Sequence, residues 1–196
     1  MTAVTYRPGG ADDADAVVHA VIEAGAGLIE YILEGVAPGM AIEKLMSAAV
    51  IDPGSPLHVV NAIIADVDGE TVGIAIAYSA KRFTLPMELK ILMPRKRLNH
   101  IRSLFTTKIE DSYYLHALWV TPEVRGLRIG RGLLDVTVET ARAKGFDRLS
   151  LHVWADNDIA RSLYEGFGFE AVATIPIAAT RNLNHPAGMI LMQAVI

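Results

Sequence analysis

The sequence predicts an α/β (α+β) chain folded around one sheet, and three observations carry that reading. Short β-branched and aromatic runs alternate with stretches whose apolar residues recur every three or four positions. The segments follow the order β-α-α-β-β, an irregular stretch, then β-α-β-α-β-β. A length of 196 residues, 52% hydrophobic and 20% charged, suits one domain with a sizeable core and excludes a disordered or fibrous chain. The expectation is a single domain over 1–196 with an insertion at about 80–110.

Each element has its own signal. Val4 to Tyr6 reads as a short strand ended by Pro8-Gly9-Gly10. Ala11 to about Gly27 reads as a helix, with Asp12, Asp13 and Asp15 where the dipole favours anions and Ala14, Val17, Val18, Val21 and Ile22 on one face. A second helix covers about Ala41 to Val50 and stops before Asp52-Pro53-Gly54. Leu57 to Val67 and Glu70 to Ser79 form a hairpin around the turn Asp66-Val67-Asp68-Gly69-Glu70. The stretch 80–110 holds Pro86, Pro94 and a short helix near Asn99 to Phe105, and is expected to lie over the sheet. Tyr113 to Val120 is a strand closed by Thr121-Pro122, and Ile129 to Lys144 is a helix with Leu133, Leu134, Val138 and Ala141 on one face. Arg148 to Trp154 is a strand and Asp158 to Glu165 a short helix. Phe169 to Ile175 and Met189 to Val195 close the chain as strands.

Composition excludes several classes of function. Cysteine is absent, so disulfides, thiol nucleophiles and Cys-ligated metals are excluded. The histidines show no metal-ligand spacing, so no metal is expected. The N-terminal stretch has acids where a secretory leader needs a basic end and an apolar run. The longest run without a charged residue, 182–196, is broken by His185 and Pro186, so no membrane span is expected and the location expected is cytoplasmic. Residues 1–70 hold eleven acids against Arg7 and Lys44, a net of −9; residues 80–108 hold eight bases against Glu88, a net of +7. Two solvated surfaces would explain this, as would a cation-attracting and an anion-attracting side of one cleft. With a pI of about 5.8 and no binding motif in the basic stretch, nucleic acid is not an expected partner.

Two stretches carry chemistry. In Val120-Thr121-Pro122-Glu123-Val124-Arg125-Gly126-Leu127-Arg128-Ile129-Gly130-Arg131 a strand ends, a glycine-containing turn follows and a helix begins. Such a turn leaves main-chain N–H groups unpaired at a helix N-terminus, which suits a phosphate; a capped helix with exposed arginines is the alternative for the turn alone. No Gly-Lys-Ser/Thr follows, and the G-x-G-x-x-G spacing is missing. The second stretch, Leu149 to Phe169, reads strand, Asn157, a helix bearing Tyr164, then Gly166-Phe167-Gly168-Phe169.

Together these stretches resemble the GNAT superfamily of acetyl-CoA-dependent N-acetyltransferases. The first is similar to its pyrophosphate motif V-x-P-x-x-R-G-x-G-x-G, and the second to its N-x-x-A-x-x-x-Y-x-x-x-G-F motif. The resemblance is clearest over 113–169, a little over a quarter of the chain. Arg128 departs from the pattern, standing at the motif's middle glycine. The resemblance implies a mostly antiparallel sheet of about seven strands in which the parallel strands 113–120 and 148–154 splay apart to admit the cofactor arm. It implies acetyl-CoA as cosubstrate, bound by Leu118, Trp119, Val120, Arg125, Gly126, Leu127, Arg128, Ile129, Gly130 and Arg131, with Asn157, Arg161 and Tyr164 on the other side.

By the same match Tyr164 is the acid for the departing thiolate: a phenol with a pKa of about 10 serves a thiolate of about 8.5 where the site tunes both. An alkyl amine is protonated at neutral pH, so its attack needs a base or a water relay. His116 is the candidate base, with His152 in reserve, because Tyr114 stands where other members carry Glu; Glu123 reads as an exposed turn residue. The acceptor pocket falls at 27–40 and 175–188, where Glu30, Tyr31 and Glu34 suit a cationic amine. The function implied is acetyl transfer to a primary amine in a ternary complex, the acceptor a small amine. A peptide or protein amine, or a non-catalytic acyl-CoA-binding module, stays open, and family precedent admits a homodimer.

Overall fold

The computed structural model describes residues 3–181 and 183–196. Seven strands are Thr5–Pro8 (β1), Ala62–Val67 (β2), Glu70–Ser79 (β3), Tyr113–Val120 (β4), Arg148–Trp154 (β5), Glu170–Ile175 (β6) and Met189–Val195 (β7). They form one sheet in the order β1-β2-β3-β4-β5-β7-β6, antiparallel throughout except between β4 and β5. The helices are Ala14–Gly25 (α1), Leu28–Leu33 (α2), Ile42–Ile51 (α3), Met87–Leu92 (α4), Arg95–Thr106 (α5), Ile129–Ala143 (α6) and Asp158–Phe167 (α7). One face of the sheet packs against α1 to α5 and the other against α6 and α7. The mixed, mostly antiparallel sheet of seven strands read from the sequence is the fold observed.

Local chemistry explains most boundaries. Asp68 and Gly69 both take left-handed backbone, at φ 53° and 86°, the turn whose twist matches a two-residue hairpin. α1 ends at Ala26, also left-handed, and Gly27 follows at φ 91°, so the chain reverses and starts α2, which the periodicity had merged into a loop. Strand β2 starts at Ala62 rather than Leu57, because 59–61 form a 3-10 turn that His58 caps through the Val60 N–H. The stretch 80–110 carries two helices where one short helix was expected. Each follows a proline with extended backbone, and α5 starts at Arg95 because its apolar side, Leu98, Ile101, Leu104 and Phe105, is masked in sequence by the bases between.

Two features shape the gap between β4 and β5. Their parallel pairing covers only Tyr113–Leu149, Tyr114–Ser150 and Leu115–Leu151. The buried Ser112 and Ser150 hydroxyls meet at 2.6 Å at the closed end. Against β3, Leu115 pairs with Ala77 and Ala117 with Ile76, which leaves His116 as an extra residue in β4. A bulge of this kind bends its strand and re-aims a side chain. Beyond it β4 and β5 part.

Gly73 sets how closely α6 approaches the sheet: a Cβ there would stand 3.1 Å from Leu133 and 3.2 Å from Ile129. Gly73→Val is expected to cost about 1–3 kcal/mol through overpacking, lowering the melting temperature by several degrees. Differential scanning calorimetry checks this; an unchanged melting temperature would show that α6 docks with room to spare.

Candidate active site

Where β4 and β5 part, a cavity of about 940 Å³ passes through the sheet from one face to the other. On the α6 side it is walled by Leu118, Val120, Val124, Arg125, Gly126, Arg128, Ile129, Gly130, Arg131, Asn157, Leu163 and Tyr164. On the α1 side its wall includes Leu28, Ile29, Phe83, Phe105, Trp119 and Trp154, with His116 and His152 at the centre.

The α6 end is built to attract an anion. Helix α6 has no side-chain cap, and the N–H groups of Gly126, Arg128, Ile129, Gly130 and Arg131 reach no acceptor among the described residues. Orphan amides at the positive end of a fifteen-residue helix form a ready phosphate site. Arg128, at the position where the motif has glycine, takes the left-handed backbone that glycine would, at φ 63° and ψ 14°. Its N–H therefore stays in the row of donors, at a conformational cost of about 1–2 kcal/mol for a residue with a Cβ. Arg125 Nε donates to the Val120 carbonyl at 3.1 Å, and Arg131 lies over the Phe167 ring and reaches the Gly166 carbonyl at 3.3 Å.

At the centre, hydrogen bonds assign the imidazole protons. His152 Nε2 faces the Thr107 carbonyl at 2.9 Å, which can only accept, so that nitrogen carries the proton and Nδ1 accepts from the Tyr114 hydroxyl at 3.0 Å. His116 Nδ1 lies 2.8 Å from the buried Tyr78 hydroxyl, which has no other partner among the described residues. Tyr78 therefore donates, since the reverse would strand a buried O–H at about 1–3 kcal/mol. The neutral His116 ring thus keeps its proton on Nε2, the nitrogen left for the cavity. Burial holds both imidazoles neutral, lowering each from 6.5 to about 4. The Tyr164 hydroxyl lines the cavity without a described partner, and burial alone pushes it well above the usual phenol value.

Not every residue singled out in the sequence comes to this place. Leu127 points into solvent. Arg161 is outside the wall, its guanidinium bonded to the Ala155 carbonyl and close to Asp158 and Glu165. Asn157 lines the wall, with its carbonyl oxygen spent on capping α7 at Ala160 N–H. Glu123 accepts from the Thr121 hydroxyl in the exposed turn. None of Glu30, Tyr31 and Glu34 lines the cavity: Tyr31 and Glu34 face α5, and Glu30 Oε2 is buried without a described partner. Tyr31 bonds His100 Nδ1 at 2.6 Å, and Glu34 pairs with Arg97 at 3.2 Å. None of the eight bases of 80–108 lines the cavity, because α5 turns its apolar side inward. Phe83, Phe105, Trp154 and the tautomer-setting Tyr78 were not singled out; only the spacing of 98, 101, 104 and 105 in the basic stretch hinted at an inward side. Among the described residues, no group of three or more His, Cys, Asp or Glu could hold a metal ion, and no helix is long and apolar enough to cross a membrane.

Comparisons with known proteins agree with this geometry. Residues 40–169 match the model of the acetyltransferase (GNAT) family. The mycothiol acetyltransferase of Beutenbergia cavernae is 42% identical over 59 residues, which is 30% of this chain and 20% of that relative, so the match spans about a fifth of its length. A crystal structure of an acetyltransferase shares 25% identity and a TM-score of 0.69 over 98% of this chain and 99% of its own. The PaiA N-acetyltransferase of Thermoplasma acidophilum, solved in complex with coenzyme A, shares the fold at 16% identity, a TM-score of 0.57 and 99% coverage of each chain.

Two outcomes follow from the site. Unfolded histidines titrate near 6.5 and the folded pair near 4, so the unfolded chain binds more protons between those values. Their contribution to stability is complete above about pH 6.5 and is lost as pH falls, at about 1.4 kcal/mol per pH unit for each ring. Urea unfolding at pH 7, 6 and 5 is expected to show a falling midpoint, and a constant one would mean the rings are not held neutral. Arg128→Gly is expected to gain about 1 kcal/mol, raising the melting temperature by roughly 2–4 °C. A fall instead would show that the arginine side chain contributes more than its backbone conformation costs.

Proposed function

Because the chain belongs to the GNAT family of acetyltransferases, we propose that it transfers the acetyl group of acetyl-CoA to a primary amine, by direct attack in a ternary complex, with a small amine as acceptor. The observation that carries this reading is the row of five unpaired amides at the start of α6, opening onto a cleft that crosses the sheet. Acetyl-CoA, when bound, supplies an acyl group already activated as a thioester.

The residues divide the work by position. The amides from Gly126 to Arg131, with the guanidinium groups of Arg125, Arg128 and Arg131, hold a diphosphate. The main chain of Leu118, Trp119 and Val120 has no pairing to β5 and can bond an extended amide arm as an added strand would. Asn157 keeps its amide N–H groups for the same arm, whereas Arg161 braces α7. Tyr164 keeps its proton at every working pH and offers it to sulfur. The cavity that raises the phenol also raises the basicity of a buried thiolate, so donor and acceptor move in the same direction. His116 offers Nε2–H to a carbonyl entering the cleft, as a neutral electrophilic donor. With that nitrogen already protonated, the ammonium gives up one proton to water at the cleft mouth before it attacks; the second, released from nitrogen as the C–S bond breaks and Tyr164 protonates sulfur, returns through water to the phenol.

Calorimetry with coenzyme A, followed by thiol release from acetyl-CoA over an amine panel, tests the reading. Binding with release is expected; binding without release would assign a non-catalytic acyl-CoA module, and no binding would remove the proposal. Tyr164→Phe is expected to lower kcat by about 100-fold with the KM for acetyl-CoA nearly unchanged. Equal kcat in the two proteins would remove the phenol from proton transfer.

A further inference from the structure

The half of the cleft that lies on the α1 side tells what kind of amine it takes. Its wall includes Leu28, Ile29, Phe83, Phe105, Trp154 and Met189. The rings are already arranged: Phe83 packs on Phe105 at 5.1 Å and on Tyr114 at 4.3 Å between centroids. Polar groups on this side are few and mostly committed. Tyr114 and His152 bond each other, and His152 also bonds the Thr107 carbonyl. The carbonyls at the end of α1 are taken as well, Glu23 by the Ala26 N–H, Gly25 by the Trp154 indole N–H and Ala26 by His185 Nε2. Of the eleven acids in 1–70, only Glu23 lines the cavity, and it is exposed.

Resting on the acetyltransferase reading above, we infer that the acceptor is an apolar, ring-bearing primary amine that enters this half of the cleft in its neutral form, and not a diamine, an aminosugar or another multiply polar amine. An ammonium buried here meets no carboxylate in the described wall other than the exposed Glu23, and removing a charge from water without a partner is strongly unfavourable. A second charge or several hydroxyls on the same molecule would face the same apolar wall. A flat apolar body instead fills a site whose rings already stand in place, so little order is lost on binding. The reactive nitrogen then stands beside the carbonyl held by His116 Nε2–H, the second nitrogen of that ring having no described partner.

The test uses the whole chain saturated with coenzyme A, titrated calorimetrically with 2-phenylethylamine, 1,4-diaminobutane and glucosamine. The expected result is that 2-phenylethylamine binds at least tenfold tighter than either of the others. Phe83→Leu is expected to weaken it severalfold, and Phe105→Ala provides the same test should the first variant not fold. Equal or tighter binding of the diamine or the aminosugar overturns the inference, as does the absence of measurable 2-phenylethylamine binding. Because the coenzyme titration is read first, a failure there strikes the acetyltransferase reading, whereas a reversed amine preference on a coenzyme-loaded chain strikes this inference alone.

Discussion

One extra residue in β4 is what the rest of the structure depends on. Without His116 the pairing of β4 with β3 would run in regular register, and its ladder with β5 could continue past Leu115. With it, the strand bends and three pairs of the parallel ladder are all that form. The Ser112–Ser150 hydrogen bond keeps those three closed, so the opening has an apex and does not spread along the whole strand. The bulge therefore makes the cleft, exposes main-chain groups along its edge and turns a histidine into it.

Opening a sheet through its middle exposes polar main chain at the centre of the molecule, and the surrounding side chains limit the consequences. Tyr78 donates to His116, and Tyr114 donates to His152, which in turn donates to the Thr107 carbonyl, so each of these donors finds one acceptor. Matched donors and acceptors of this kind fix the tautomers of both rings as a by-product. The result is a pair of imidazoles that remain uncharged well into the acid range and a His116 with a single defined donor. A site meant to bury a thioester and an amine together gains from this, because no ionised side chain competes with the reacting atoms for stabilisation.

The strands that were readable from sequence are those whose turn residues punctuate them sharply. Strands β3, β4, β5 and β7 fall on the expected bounds, each a β-branched or aromatic run bounded by Gly, Pro or Asp. The turn before α6, with its unpaired amides, was readable for the same reason, since it lies in the main chain of consecutive residues. What stayed hidden depends on long-range pairing. Helix α2 is six residues between two left-handed positions and a loop, too short for a period to show. Phe83 and Phe105 reach the cleft only because α5 packs on the same face as α1, and the Tyr78–His116 bond joins residues 38 apart in the chain. Of the acceptor candidates, Tyr31 and Glu34 meet a cation inside the same molecule: acids near an aromatic suit a cation, and the one beside these two is Arg97.

That last pairing settles what the charge asymmetry does. One acid of the first third, Glu34, and one base of the middle stretch, Arg97, meet across α2 and α5. Glu34 takes both Arg97 nitrogens through its carboxylate and its carbonyl, and Arg97 lies 5.5 Å from the Tyr31 ring centre. Pairs as exposed as Arg97 and Glu34 contribute little to stability, about 0–1 kcal/mol each. Their effect is on location. By tying opposite charges together outside the cleft, the fold leaves the acceptor half apolar and concentrates its remaining positive charge at the far end, on Arg125, Arg128, Arg131 and the α6 amides. On the reading proposed above, an anion and an apolar amine then have separate entrances on opposite faces of one sheet, and among the described residues the gap beside His116 is where the two meet.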